Sequence, residues 1–419
     1  MRFWLEQAEA AVAAHRDDSR TPTGSDILFD PGSREFHADP YPFYHRLRSE
    51  DPVHRTAQGY WVVTRYADVM TVLRDQRFGR EDFGPAISAV YGDDSERVPR
   101  PMVFRDPPAH TRLRSLVSKA FTSRVVEGLK PRIREIVERR LDMVSAGRTM
   151  DVIADLAYPL PVTVICELLG APAEDADTMR QWTADITRSL DALGLHSDRE
   201  IVKRGRAARH SLGEYFRGLL PERRLRPRGD LLSQLLAAEE RGDRLSEDEL
   251  IATCVLIFIA GHETTVNLIG NGLLALLRHP EQLERVRTDP ALIAGAVEEL
   301  LRYDSPVQRT ARVATEDVEI GGRTIPKHAL VVAAIGAANR DPEQFADPDR
   351  FDIGRVDNHH LAFGFGIHFC LGAPLARVEG QIAIELLLQR MPKLALALDT
   401  PQWRKSSTLR GLTSLPVSF

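Results

Sequence analysis

The stretch from Ser246 to Pro280 constrains the fold more than any other part of this sequence. Ser246 and Glu249 have the spacing of a capping box, in which the two residues satisfy each other's free backbone N–H groups at a helix start. Apolar residues then run to His279, and Pro280 cannot continue the hydrogen-bond ladder. The spacing predicts one helix of about thirty-three residues, which at about 1.5 Å per residue is roughly 50 Å long. Few globular helices reach that length, and one that does must cross the whole of its domain. Its most apolar part, Leu250 to Gly261, is far short of a membrane span, so burial inside protein is expected.

The remaining sequence is compatible with one large core around that helix. Of 419 residues, 43% are hydrophobic and 27% charged, which excludes a disordered chain. Three cysteines are too few for a disulfide framework. A formal net charge of −5 argues against a dedicated nucleic-acid binder. Met1 to Arg20 contain acidic residues and no long apolar core, unlike a secretory signal or an anchor. A soluble, cytoplasmic, monomeric enzyme is therefore expected. No repeat or clear linker divides the chain. Residues 31–419 read as a single domain, and residues 1–30 as an extension with a short helix from Phe3 to His15.

Helix dominates the pattern. Helical stretches are predicted over Tyr66 to Arg74, Pro107 to Leu141, most of Pro161 to Glu239 with breaks near Gly194 and Pro227, Ala291 to Tyr303, and Ala373 to Arg390. Short strands are predicted at Gly59 to Thr64 and, around the turn Gly321-Gly322, between Val313 and Val332. Residues Gly79 to Pro101 form a long irregular loop, a type of segment that is often functional. The expected class is mainly α, with a smaller β-rich region.

The chemistry concentrates at Phe363-Gly364-Phe365-Gly366-Ile367-His368-Phe369-Cys370-Leu371-Gly372. Cys370 lies between a Gly-rich turn and a helix start. Gly364, Gly366 and Gly372 allow backbone conformations that side chains would block, so the chain can approach a flat cofactor. Free N–H groups of the turn and helix can point at the sulfur and favour the thiolate. A nucleophilic cysteine would need a histidine base, and His368 on the same loop is poorly placed for that. Zinc would need further ligands at suitable spacing. Iron held by one thiolate, in haem, fits best. Cys166 and Cys254 sit in apolar helical runs and read as inert core residues.

From about Asp39 to Phe419 the chain resembles the cytochrome P450 superfamily of haem-thiolate monooxygenases, in particular the bacterial, ferredoxin-dependent type. The resemblance implies that Cys370 is the axial ligand of haem b, with Phe363 packed near the sulfur. It implies haem contacts from Gly364 and Gly372, and propionate contacts from His110 and Arg114, an i,i+4 pair, and from Arg312 and His368. Ala260 and Gly261 would let the long helix pass close over the haem. Thr264 would bond back to the Ala260 carbonyl and hold dioxygen and water, while Glu263 would relay protons. Glu299 and Arg302, with Arg350 from a later loop, would form a structural triad bracing the cysteine loop.

The resemblance further implies a fold with haem between the long helix and the cysteine loop. The substrate pocket would be lined by Phe83, Ile87, Val90, Met179, Leu193, Leu256, Ile259, Val307, Gln308 and Leu409. Their apolar character predicts a lipophilic small molecule, such as a macrolide or polyketide in antibiotic tailoring. Hydroxylation, epoxidation, aryl coupling, and oxidation of an aromatic, terpene or steroid all remain open. A noncatalytic haem-binding or recruitment domain is the alternative from another class. Glu263, Thr264 and Cys370 argue against it. Electrons would come from NAD(P)H through a ferredoxin reductase and ferredoxin. Arg112, Lys119, Arg124 and Arg377 would attract that acidic partner. No nucleic-acid or membrane partner is expected.

Overall fold

The computed structural model describes residues 29–81, 100–190, 199–240, 243–398 and 400–419. The expected helix at Phe3 to His15, the break near Gly194 and most of the loop Gly79 to Pro101 fall outside the described residues.

The central helix spans Glu247–Arg278, 32 residues. Ser246 caps it, its side chain accepting from the Glu249 N–H while the Glu249 side chain accepts from the Ser246 N–H. By length and composition alone this helix could cross a membrane, but 67% of its most apolar window is buried inside the protein. It is a core helix. Helices Pro159–Leu169, Arg199–Leu225, Ile293–Tyr303 and Ala373–Arg390 all pack against it. Fully buried Cys254, Val266, Ile269, Leu273 and Leu276 project from it into the largest apolar cluster. At about 1.5–3 kcal/mol for each buried large side chain, that packing dominates the stability of the helix.

Two predicted elements divide where local caps intervene. The stretch Pro107 to Leu141 forms Ala109–Ala120 and Ser123–Val144, because Thr122 is extended and its side chain accepts from the Val125 N–H. The helix expected from Ala291 begins with a 3-10 turn, Pro290–Leu292, and becomes α-helical over Ile293–Tyr303. Ala373–Arg390 agrees with expectation.

The main sheet has five strands in the order Val53–Arg55, Trp61–Val63, Leu330–Ala333, Thr310–Ala314, Phe78–Gly79. Only the Trp61–Val63 and Leu330–Ala333 pair within it is parallel, with Val332 opposite Val62. Arg312 is paired with Val331 in this sheet and is 2% exposed. The turn Gly321-Gly322 joins the predicted hairpin, Val318–Ile320 with Arg323–Ile325. A second hairpin near the C-terminus pairs Gln402–Trp403 with Leu412–Ser414.

Candidate active site

A cavity of about 360 Å3 lies between the central helix and the cysteine loop. Leu256, Ala260, Gly261, Thr264 and Thr265 line it from the helix, and Phe363, Gly364, His368, Cys370 and Gly372 from the loop. The loop turns because Gly364 and Gly366 take φ of 71° and 69°, a region that favours glycine. At Gly366 a Cβ would also come within 2.8 Å of the Leu73 carbonyl oxygen. Gly372 departs from expectation. Its φ of −82° suits any residue, and an added Cβ would meet the Cys370 Sγ at an ordinary 3.9 Å.

The Cys370 N–H donates to the Phe363 carbonyl (3.0 Å), which fixes the sulfur-bearing residue against the turn. Cys370 opens onto the cavity and is otherwise enclosed by protein. Burial pushes its thiol up, against the opposing pull of the Gly372 and Ala373 N–H groups and of Arg114 and Arg377. The expected N–H groups are present, but in the chain alone burial prevails. Cys166 and Cys254 are fully buried, and burial pushes both thiols up to about 12, as inert core positions require. Among the described residues no cluster of three or more His, Cys, Asp or Glu could hold a metal ion. Cys370 therefore lacks the set of three or four protein ligands that a zinc site uses, whereas haem iron needs one thiolate.

The cavity also receives His110, Arg114, Arg312 and His368, together with Arg80. The rings of His110 and His368 lie 4.4 Å apart. Burial, then Arg80, Arg312, His110 and Arg114, drive the His368 imidazole down to about 2. Burial and the neighbouring Arg80 charge lower Arg312. Burial brings Arg80 itself down to about 10. Asp106 opposes these shifts, but its carboxylate is occupied by the Arg80 and Glu81 N–H groups. His110 Nδ1 and Arg80 Nε are buried without hydrogen-bond partners. Three arginines gathered beside two histidine rings, with orphaned polar atoms among them, are suited to an anion, and the two carboxylates of haem meet that need beside the Cys370 sulfur. Arg80 was not legible in the sequence, since no motif marks it. Only folding brings it beside Thr310, whose Oγ1 accepts from Arg80 Nη2 (2.8 Å).

On the central helix, Thr264 Oγ1 donates to the Ala260 carbonyl (3.0 Å). Thr264 faces the cavity. Glu263 is 5% exposed, lies outside the lining, and accepts from Arg404 Nη1 (2.5 Å). Glycine at 261 has a second reason besides closeness to the cavity: a Cβ there would come within 2.8 Å of Ile165 Cδ1 on the helix Pro159–Leu169.

Glu299 and Arg302 form a fully buried pair, with Arg302 Nε 2.7 Å from Glu299 Oε2. The second arginine is Arg355, not Arg350. Arg355 Nε lies 3.3 Å from Glu299 Oε2, whereas the Arg350 side chain is 65% exposed and, among the described residues, reaches only Asp352 at 3.8 Å. Arg350 contributes its backbone carbonyl, which accepts from Arg302 Nη2 (3.1 Å) and Arg355 Nη2 (3.3 Å). The loop turns outward at Arg350 and returns inward five residues later. The neighbouring Glu298 was also missed. Burial would raise its carboxyl, but His360 and Arg377 hold it at about 2. Arg377 in turn stacks over Phe363, its guanidinium carbon 4.6 Å from the ring centre, which ties this brace to the cysteine loop.

Of the expected pocket residues, Leu256 and Val307 line the cavity. Met179 does not, being fully buried in the core. Gln308 is 2% exposed and turns inward, its Nε2 donating to the Ser305 carbonyl (2.8 Å). Ile259 packs against the core, and Leu409 forms a bridge with Val307 behind the lining. Phe83, Ile87, Val90 and Leu193 lie outside the described residues. Among the surface cations, Arg112 is paired with Glu249 and Asp243, and Arg377 with Glu298.

The chain matches the family model "Cytochrome P450" over residues 53–392. It is 42% identical over 408 residues to the polyketide biosynthesis cytochrome P450 PksS of Bacillus subtilis, covering 94% of this chain and 99% of that protein. It is 43% identical over 410 residues to the cytochrome P450 monooxygenase PikC of Streptomyces venezuelae, covering 95% of each. Among solved structures it resembles P450BioI in complex with an acyl carrier protein ligated to hexadec-9Z-enoic acid. The TM-score is 0.87 at 44% identity, covering 92% of this chain and 99% of that one. A cysteine and a cationic cluster facing a threonine-bearing helix, in a fold shared this closely, identify the chain as a member of the cytochrome P450 family and a monooxygenase.

Proposed function

We propose that residues 31–419 form one haem domain that inserts an oxygen atom from dioxygen into a lipophilic small molecule, by hydroxylation or epoxidation. The observation that carries this reading is the joining of Cys370, the cationic cluster and Thr264 around one cavity. Haem b bound through the Cys370 sulfur would supply the activation of dioxygen, which thiolate ligation favours. His110, Arg114, Arg312, His368 and Arg80 would hold its carboxylates. Phe363 would shield the sulfur from water. The Thr264 hydroxyl would turn from the Ala260 carbonyl to hold a proton donor in the cavity, and Glu263 would pass protons from solvent towards it. Glu299, Arg302 and Arg355 would keep the cysteine loop in register.

The substrate class is supported by the apolar wall of Leu256, Val307 and Leu375 and by kinship with PksS, which is named for polyketide biosynthesis. Electrons would reach the domain from NAD(P)H through a reductase and an acidic ferredoxin, which the exposed Lys119 and Arg124 would attract. The carrier-protein complex of P450BioI favours a second reading, in which the substrate is an acyl chain delivered on a carrier protein.

The test is a panel of free polyketides, free fatty acids and acyl carrier protein conjugates, scored by the substrate-induced change in the haem spectrum and by product formed with a surrogate ferredoxin system. Oxygenated product from a free polyketide is expected. Turnover of carrier-bound acyl chains alone selects the second reading, and haem binding with no product from any member contradicts both.

A further inference from the structure

Glu263 does not face the cavity that it would serve. Its Oε2 accepts from Arg404 Nη1, and its Oε1 lies 3.7 Å from His262 Nε2. That nitrogen is no competing donor. His262 Nδ1 donates to the Phe258 carbonyl (2.7 Å), so in the neutral ring Nε2 carries no hydrogen, and burial lowers the imidazole. Among the described residues, Glu263 is therefore oriented from one side only, by Arg404.

Arg404 is itself fixed. Its Nε donates to the Leu412 carbonyl (3.2 Å) and its backbone N–H to the Gly411 carbonyl (2.9 Å), which locks it into the C-terminal hairpin. The hairpin is docked on the same face of the central helix. Gly411 lies so close to Asn267 that a Cβ would stand 1.9 Å from its Oδ1, and Asn271 Nδ2 donates to the Arg410 carbonyl (3.0 Å). Residues 263, 267 and 271 follow one another at i,i+4 and form one polar stripe against the hairpin. The Arg404 side chain is 28% exposed while that of Glu263 is buried, so the ion pair spans from solvent to the buried acid.

We propose that Arg404 is a positioning residue for proton delivery, anchoring the Glu263 carboxylate at the solvent end of its path. Glu263 exchanges protons with water beside the guanidinium and carries them inward on leaving it. The proposal rests on the relay role of Glu263. Without Arg404 the carboxylate has no fixed partner among the described residues, and protons arrive too slowly to keep turnover coupled.

The experiment compares Arg404→Gln, Arg404→Lys, Glu263→Gln and the double variant Arg404→Gln/Glu263→Gln in the haem-loaded protein. Peroxide released per NAD(P)H should rise about tenfold in Arg404→Gln, with kcat falling and KM unchanged, and Arg404→Lys should recover most of the loss. The double variant should be no worse than Glu263→Gln. Infrared difference spectra of the resting protein give a reading independent of turnover. The carboxylate band absent in Glu263→Gln should shift in Arg404→Gln. An unshifted band, or full coupling in Arg404→Gln while Glu263→Gln is uncoupled, overturns the positioning role alone. Full coupling in Glu263→Gln overturns the relay on which it rests.

Discussion

Two glutamate–arginine pairs lie outside the cavity lining, one anchored on the helix Ile293–Tyr303 and one on the central helix. Glu299–Arg302 is fully buried, bidentate, and extended by Arg355, Asn358 and the Asp352 N–H, so every carboxylate oxygen is engaged more than once. Glu263–Arg404 has a single short contact and an arginine partly in water. A buried charge pair with all its bonds made is expensive to disturb and holds a loop in place. A pair at the boundary of solvent can open and close at little cost, which suits a group that must move protons. On the proposed roles, the same two side chains would make a brace in one setting and a relay in the other, with burial as the difference between them.

The largest effect should come from the brace. Glu299→Ala leaves Arg302 charged and buried without its partner, a loss of about 3–5 kcal/mol. Expression of this variant should give little haem-loaded protein, and a well-folded holoprotein would break the comparison. On the central helix, Thr264→Ala should keep haem and substrate binding but divert reducing equivalents to peroxide, with product per NAD(P)H falling by about ten- to a hundredfold. Unchanged coupling would remove Thr264 from the account.

Glu379 sharpens the contrast, because it is a buried carboxyl for which, among the described residues, the Thr265 hydroxyl and no cation opposes the effect of burial. Burial pushes it up to about 8. A carboxyl raised in the folded state costs nothing below its unfolded value and destabilises progressively as pH rises towards the folded value. Glu379→Gln should therefore melt higher than the parent at about pH 8, with the gap closing towards about pH 5. A gap that does not depend on pH would contradict the assignment. The smallest effect is expected at Arg350. Because its side chain is largely exposed, Arg350→Ala should change stability by less than about 0.5 kcal/mol in chemical denaturation, whereas Arg355→Ala should cost more.

What could be read in the sequence was local. The capping box, the proline stop, the glycine turn before Cys370 and the i,i+4 pair of His110 and Arg114 depend on spacing along one element, and helix geometry carries that spacing into space. The unread parts depend on loops. Arg350 and Arg355 are five residues apart on an irregular segment, where no periodicity tells which one turns inward. Arg404 meets Glu263 across 141 positions, and Arg80 reaches the cavity only through its contacts with Val103 and Thr310. Met179 and Gln308 were expected at the pocket because apolar or amide residues near a site read alike whether they face it or the core. Gly372 was assigned a backbone role that its ordinary φ does not require.

The central claim is that Cys370 is the ligand through which this chain holds haem, and the most direct measurement is the spectrum of the reduced carbon monoxide complex. The parent protein should show the thiolate-type absorption, and Cys370→Ser should lose it even when haem remains bound in the cationic cluster. Persistence of that absorption without the Cys370 sulfur would contradict the account.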